Sequence, residues 1–176
     1  MGTEPLPIFL VGMMGAGKTT IGRELARRLG RRFVDCDHEI EARTGVKIPV
    51  IFEIEGEEGF RRRETLELDE LSRQSGLVVA TGGGIVLAAE NRGILRERGT
   101  VVYLDVAPDV LFERTRHDRN RPLLQVENPR ARIAALHAQR EPLYREVADL
   151  IIPGRRGTPA TMARAIEREL EKLCGR

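Results

Sequence analysis

The chain has 176 residues, of which 41% are hydrophobic and 32% charged, a composition that fits one globular domain spanning residues 1–176 and excludes a disordered chain. Basic and acidic residues number 29 and 27, for a net charge of +2, and the charges are interspersed. With two tyrosines, five phenylalanines and no tryptophan there is no evident stacking platform, so nucleic acid is not expected as a partner. Pro7 to Val11 is a short apolar run and reads as the first strand, followed by a glycine-rich loop. Ile21, Leu25 and Leu29 then recur at helical spacing, and Gly30 stops that helix. Arg32 to Cys36 reads as the second strand. Lys47 to Leu71 is mostly helical and longer than one crossover needs. Leu77 to Ala80 is the third strand, stopped by Thr81 and three glycines, and the β-branched Thr100 to Leu104 is the fourth. His117 to Asn128 has little apolar periodicity, and loops of this length inside compact domains often act as lids. Leu150 to Ile152 is the fifth strand, cut by Pro153, and Met162, Ile166, Leu170 and Leu173 mark one stripe of a last helix. Apolar strands alternating with helices imply a parallel sheet covered on both faces, with ligands at the carboxyl ends of the strands.

Gly12-Met13-Met14-Gly15-Ala16-Gly17-Lys18-Thr19 fits G-x-x-x-x-G-K-S/T, directly after a strand and before an amphipathic helix. Its glycines let backbone N–H groups approach phosphate oxygens, and the helix that starts near Lys18 adds its positive dipole. Lys18 reaches the β- and γ-phosphates, and the Thr19 hydroxyl ligates Mg2+. A nucleoside triphosphate is the expected ligand; a plain glycine turn with an exposed lysine is the bland alternative. Asp35-Cys36-Asp37 follows the second strand, and at period two the aspartates share a face. One could support Mg2+ and the other handle a substrate hydroxyl, although Asp37 could instead cap the next helix. Asp105, after Val101-Val102-Tyr103-Leu104, is a rival for the metal, or a cap for a helix starting near Pro108; spacing alone leaves these open.

Two helical stripes carry a charge where an apolar residue is expected: Phe60, Glu64, Leu68 and Leu71, and Ile133, Leu136, Arg140 and Tyr144. Charges on such faces cost several kcal/mol unless paired. Glu64 follows Arg61 by three residues and could hold that guanidinium in place, as a ligand clamp or as a surface pair. Gly82-Gly83-Gly84 permits close approach to the backbone. In the lid segment, Arg121 precedes the apolar anchor Pro122-Leu123-Leu124. Only Lys18, Lys47 and Lys172 are lysines, so the other 26 of the 29 basic residues are arginines, most of which a coding bias explains. Cys36 and Cys174 are far apart and read as reduced thiols. No apolar run approaches the roughly 20 residues of a spanning helix, and the short apolar stretch near the start is not expected to be a signal peptide. A cytoplasmic protein without membrane contact is expected.

The chain resembles the shikimate kinases, in the nucleoside-monophosphate-kinase-like branch of P-loop proteins, over nearly its whole length. The marks are Gly12 to Thr19, Phe33-x-Asp35-x-Asp37, Ile48-x-x-Ile51-Phe52, Gly56-Glu57, Phe60-Arg61-x-x-Glu64, Thr81-Gly82-Gly83-Gly84, Arg121-Pro122-Leu123-Leu124 and Arg140-x-x-x-Tyr144. The resemblance implies a three-layer fold with a five-stranded sheet of order 2-3-1-4-5, a substrate-binding helical segment at about 37–71 and a mobile lid at about 115–128. It implies transfer of the γ-phosphate of ATP to the 3-hydroxyl of shikimate, a step of aromatic amino-acid synthesis. By it, Asp35 supports Mg2+ with Thr19, Asp37 binds and activates the acceptor hydroxyl, and Asp105 is structural. Catalysis would fall to Asp37, Lys18 and Arg121. ATP would meet the loop from Gly12 to Thr19 together with Thr20, Arg114 and Arg121. Shikimate would meet Asp37, Arg61, Gly82, Gly83, Gly84 and Arg140. The adenine loop reads Pro153-Gly154-Arg155-Arg156-Gly157-Thr158-Pro159, with Pro153 where the family more often has a polar residue; Arg156 is assigned to ATP, with Arg155 as the alternative. A monomer is expected. A gluconate kinase is the neighbouring reading, opposed by Arg61–Glu64 and the triple glycine, and a nucleotide-binding regulator would lack Asp37 or the lid.

Overall fold

Strands with no polar face must be covered on both sides, and the sheet is built that way. In the computed structural model, which describes residues 4–154 and 157–175, strands β1 (Ile8–Val11), β2 (Arg32–Asp35), β3 (Leu77–Ala80), β4 (Thr100–Asp105) and β5 (Leu150–Pro153) lie in the order β2-β3-β1-β4-β5. Every pairing is parallel, with Leu10 in register with Ala80 on one side and Val102 on the other. All of β1 and β3 is buried, as expected for inner strands between helical layers. The helices are α1 (Lys18–Leu29), α2 (Cys36–Thr44), α3 (Ile48–Ser72), α4 (Ala89–Arg98), α5 (Pro108–Thr115), α6 (Pro129–Val147) and α7 (Pro159–Cys174). α1 packs on α7 and along β1 to β3, while α4 and α6 pack on β4 and on each other. None of the described helices is long and apolar enough to cross a membrane.

Sequence signals end the elements as expected in most places. Gly30 closes α1 in the left-handed conformation, and Thr158 and Asn128 cap α7 and α6 with their side chains. The second strand is shorter than the sequence suggests. The Asp35 carboxylate accepts hydrogen bonds from the backbone N–H of Asp37 and His38, so the chain turns into α2 at Cys36. Asp35, rather than Asp37, is therefore the helix cap, and period-two alternation does not relate the two aspartates. Both still stand at the carboxyl end of β2. α3 runs on past the expected Leu71 and is broken once, at Gly56, whose φ of 72° and ψ of 178° kink the helix.

The charged residues on apolar stripes are buried. Phe60, Glu64, Leu68 and Leu71 of α3 and Ile133, Leu136, Arg140 and Tyr144 of α6 all lie inside. A small second core of Ile40, Ile51 and Phe60, with Ile48 and Phe52 packed against it, joins α2 to α3 beside the sheet. Cys36 is buried and Cys174 exposed, and both are free thiols.

Candidate active site

The site grows from the loop after β1. Gly12 has φ of 147°, and a Cβ there would lie 2.9 Å from the Leu104 carbonyl, so only glycine fits this turn. Gly17, at φ 97°, precedes α1 without a capping side chain, which leaves the first-turn N–H groups free for an anion. Lys18 Nζ donates to the carbonyls of Gly12 at 2.7 Å and Met13 at 2.8 Å. Burial, with Arg121 nearby, pushes its ammonium down to about 7. Thr19 Oγ1 donates to Asp35 Oδ2 at 2.6 Å, bringing two of the sequence-designated residues together. Arg114 donates to the Gly15 carbonyl at 3.1 Å. A cleft of about 670 Å³ runs over this loop, past the exposed Thr20, to Val106, Gly154, Gly157, Pro159 and Met162. Arg155 and Arg156 lie outside the described residues.

A smaller cavity of about 90 Å³ opens from that cleft. Its charged wall comes from α3 and α6. Arg61 donates to Glu64 at 2.8 Å and to Glu57 at 3.3 Å. Burial works to lower the Arg61 pKa, and the two acids outweigh it, so the net shift is upward. Burial lowers that of Arg140. Glu64 is fully buried, and burial raises its pKa against the pull of Arg61. Asp37 is likewise raised, first by burial and then by the charge of Asp35. The glycine run makes room for these side chains. A Cβ on Gly82 would press within 2.6 Å of Glu64 Oε2, and one on Gly84 would collide with the Arg61 guanidinium. Asp37 Oδ1, Arg61 Nε, Glu64 Oε2, and Arg140 Nε and Nη1 are all buried with no hydrogen-bond partner among the described residues.

Asp37 and Arg121 line both cavities and stand at their junction. Arg121 Nε donates to Asp118 Oδ2 at 2.9 Å. Asp105 lines neither cavity: it accepts from Tyr103 at 3.3 Å and Arg145 at 3.1 Å, and Ala107 rather than Asp105 caps α5. Sequence reasoning did not assign Phe52, Phe60, Ile48, Asn120 and Leu123 to the site, yet they line the smaller cavity. The Phe52 and Phe60 rings stand 5.0 Å apart. Both stand in motifs that carry the family resemblance, Ile48-x-x-Ile51-Phe52 and Phe60-Arg61-x-x-Glu64, but an apolar residue in such a motif reads equally as core.

A parallel sheet of this order, with the phosphate-type loop after its central strand and a second polar cavity alongside, defines a P-loop phosphotransferase of the small-kinase type. The family model described as shikimate kinase matches residues 14–171. A shikimate kinase of Aromatoleum aromaticum is 66% identical over 166 residues, covering 94% of this chain and 95% of the relative. The structure of a shikimate kinase from Acinetobacter baumannii in complex with shikimate is 51% identical, with a TM-score of 0.94 over 96% of this chain and 94% of that one. The chain belongs to the shikimate kinase family. A gluconokinase from Sinorhizobium meliloti, at 17% identity and a TM-score of 0.56 over 98% of this chain and 97% of its own, shares the fold alone.

Proposed function

We propose that this protein transfers the γ-phosphoryl group of ATP to the 3-hydroxyl of shikimate, giving shikimate 3-phosphate and ADP for aromatic amino-acid biosynthesis. The observation that carries the reading is the set of buried atoms beside the phosphate loop that have no partner among the described residues: three guanidinium nitrogens and two carboxylate oxygens. Buried polar groups without partners cost about 1–3 kcal/mol each, so such a set is expected to be completed by a ligand. A ring bearing one carboxylate and several hydroxyls matches it. The carboxylate would meet Arg61 and Arg140, and hydroxyls would meet Asp37, Glu64 and the Gly83 backbone, with Phe52 and Phe60 beside the ring. The shikimate complex of the Acinetobacter baumannii relative supports this choice of acceptor.

ATP would lie along the larger cleft, its phosphates in the loop from Gly12 to Thr19 and its base toward Arg114 and the segment that holds Arg156. Mg2+ fits the donor set, because the Thr19 hydroxyl and the Asp35 carboxylate are hard oxygens facing each other at 2.6 Å. Thr19 and Asp35 would hold the ion, which when bound would neutralise charge on the phosphates. Lys18 would bridge the β- and γ-phosphates. Asp37, raised in pKa and aimed between the cavities, would orient the acceptor hydroxyl and take its proton. Arg121 would move with a lid of about residues 115–128 to meet the transferring phosphoryl group, and closure would exclude water as a competing acceptor. We take the working protein as a cytoplasmic monomer.

The test is ADP release with ATP, Mg2+ and shikimate, with gluconate in parallel. Turnover with shikimate and none with gluconate is expected. Asp37→Asn keeps the shape of the side chain without its basicity and should lower kcat by about 10²-fold or more. Turnover within threefold of the wild type would reject Asp37 as the base.

A further inference from the structure

Arg61 and Arg140 face the same cavity but are held by different means. Arg61 is tied to two carboxylates. Arg140 forms no ion pair among the described residues, and two of its nitrogens have no partner. A guanidinium on a long flexible stem keeps one place only when something else fixes it. Tyr144 stands four residues further along α6, one turn away on the same buried stripe. Its hydroxyl donates to the carbonyl of Gly83, and its ring stacks on Tyr103 with centroids 5.0 Å apart. Arg140 projects from that same buried face of α6, one turn before the tyrosine. Arg140 also lies against the loop, since a Cβ on Gly83 would sit 3.3 Å from Nη1.

The hydroxyl proton is engaged by the Gly83 carbonyl, so the lone pairs of the oxygen are what remain for the guanidinium. Burial pushes the Tyr144 phenol up to about 12, which keeps it neutral at any physiological pH. A neutral holder fixes a cation without cancelling its charge, whereas a carboxylate would offset it. The residues after the glycines are braced to the same helix a second time. Arg92 donates to the carbonyls of Val86 at 2.7 Å and Leu87 at 3.1 Å, and pairs with Glu146 of α6 at 2.8 Å.

We propose that Tyr144 is a positioning residue of the acceptor subsite, joining the Arg140 guanidinium to the Gly83 backbone as the neutral counterpart of Glu64 at Arg61. This rests on the reading of Arg140 as a clamp for the acceptor carboxylate. Tyr144→Phe keeps the ring and its stacking and removes only the hydroxyl. The KM for shikimate should rise about tenfold, while kcat and the KM for ATP stay within about twofold. In an Arg140→Lys background the same change should add less than about twofold, because its effect passes through Arg140. The Nε–H of Arg140, assigned by its loss from the NMR spectrum of Arg140→Lys, should become less ordered in Tyr144→Phe. An equal rise in both KM values, additive effects in the double variant, or unchanged order at the Arg140 Nε–H would overturn the positioning role. Failure of the wild type to phosphorylate shikimate would instead remove the proposed function. The order measurement needs no substrate and would still decide for or against Tyr144.

Discussion

At the scale of single residues, the proposed role of Lys18 would couple the electrostatics of the loop to nucleotide binding. Its ammonium is held down to about 7 by burial and by Arg121, and in this structure it donates to two carbonyls of its own loop. Polyphosphate would supply the opposite charge and favour the protonated form. Above pH 7 the bare protein holds Lys18 increasingly neutral, so binding ATP must then take up a proton. Apparent affinity should fall by up to about tenfold per pH unit from pH 7 to 9. The stability of the bare protein has the opposite sign. An unfolded lysine keeps its proton to about 10.4, so between pH 7 and that value the unfolded chain binds more protons and the Lys18 contribution to stability rises with pH. Calorimetric titration with ATP in buffers of different ionisation enthalpy measures the first effect, and thermal unfolding of Lys18→Met beside the wild type measures the second. Net proton release on ATP binding at pH 8 would contradict the assignment. Asp37 is shifted the other way by the same burial, and its neighbour Asp35 adds to the shift. One carboxylate spent on Thr19 and a helix cap, and the other left with a buried free oxygen, is a division of labour that burial and hydrogen bonding set.

At the scale of elements, the strands were legible because most are apolar runs, with glycine, proline or a charge at or close to their ends. β3 agrees to the residue, and β1, β2, β4 and β5 to within one. The charged members of the α3 and α6 stripes were legible for a related reason, since a buried Arg or Glu is costly enough to call for a purpose. The change from β2 to α2 was not legible, because it hangs on which oxygen of Asp35 meets which N–H. Phe52 and Phe60 stand in the family motifs, but their place in the cavity was not legible, because an aromatic side chain facing a cavity has the same pattern as one facing the core. The triple glycine, which the sequence reads as room for a ligand, lines the smaller cavity, and the atoms nearest Gly82 and Gly84 also belong to Glu64 and Arg61. A specific expectation follows for Gly84. Its φ of −92° and ψ of 9° suit any residue, so Gly84→Ala introduces no backbone strain and acts only by pressing on Arg61. The KM for shikimate should rise by about tenfold or more, the loss of one good charged hydrogen bond, with the KM for ATP little changed. Steady-state kinetics in both substrates would read this, and matched losses for the two substrates would refute the seating of Arg61 by Gly84.

At the scale of the whole molecule, the sheet delivers both halves of the site to one edge. The loop after β1, the aspartates after β2 and the glycines after β3 all follow carboxyl ends of strands, and α3, α6 and the segment before α6 close over them. The two cavities share part of their lining, above all Asp37 and Arg121. A ligand in either one therefore changes the surroundings of the other. Arg121 is paired here with Asp118, and the pair is only partly buried, so holding it costs or gains little. A bound triphosphate should draw Arg121 off Asp118 toward the junction, and the segment moved with it would then cover the acceptor cavity. Binding of the two substrates should be positively coupled, by a factor in the range of about 5 to 150 that typical coupling energies give. Because coupling free energy is reciprocal, a nonhydrolysable ATP analogue should tighten shikimate binding by the same factor as shikimate tightens the analogue. Arg121→Ala should bring that factor close to one, while the affinity of each ligand measured alone changes by less than the coupling itself. Titration calorimetry of each ligand, with and without the other, supplies all the quantities. If the coupling persisted undiminished in Arg121→Ala, communication between the cavities would run through Asp37 and the glycine backbone, and the proposed role of Arg121 would be confined to phosphoryl transfer.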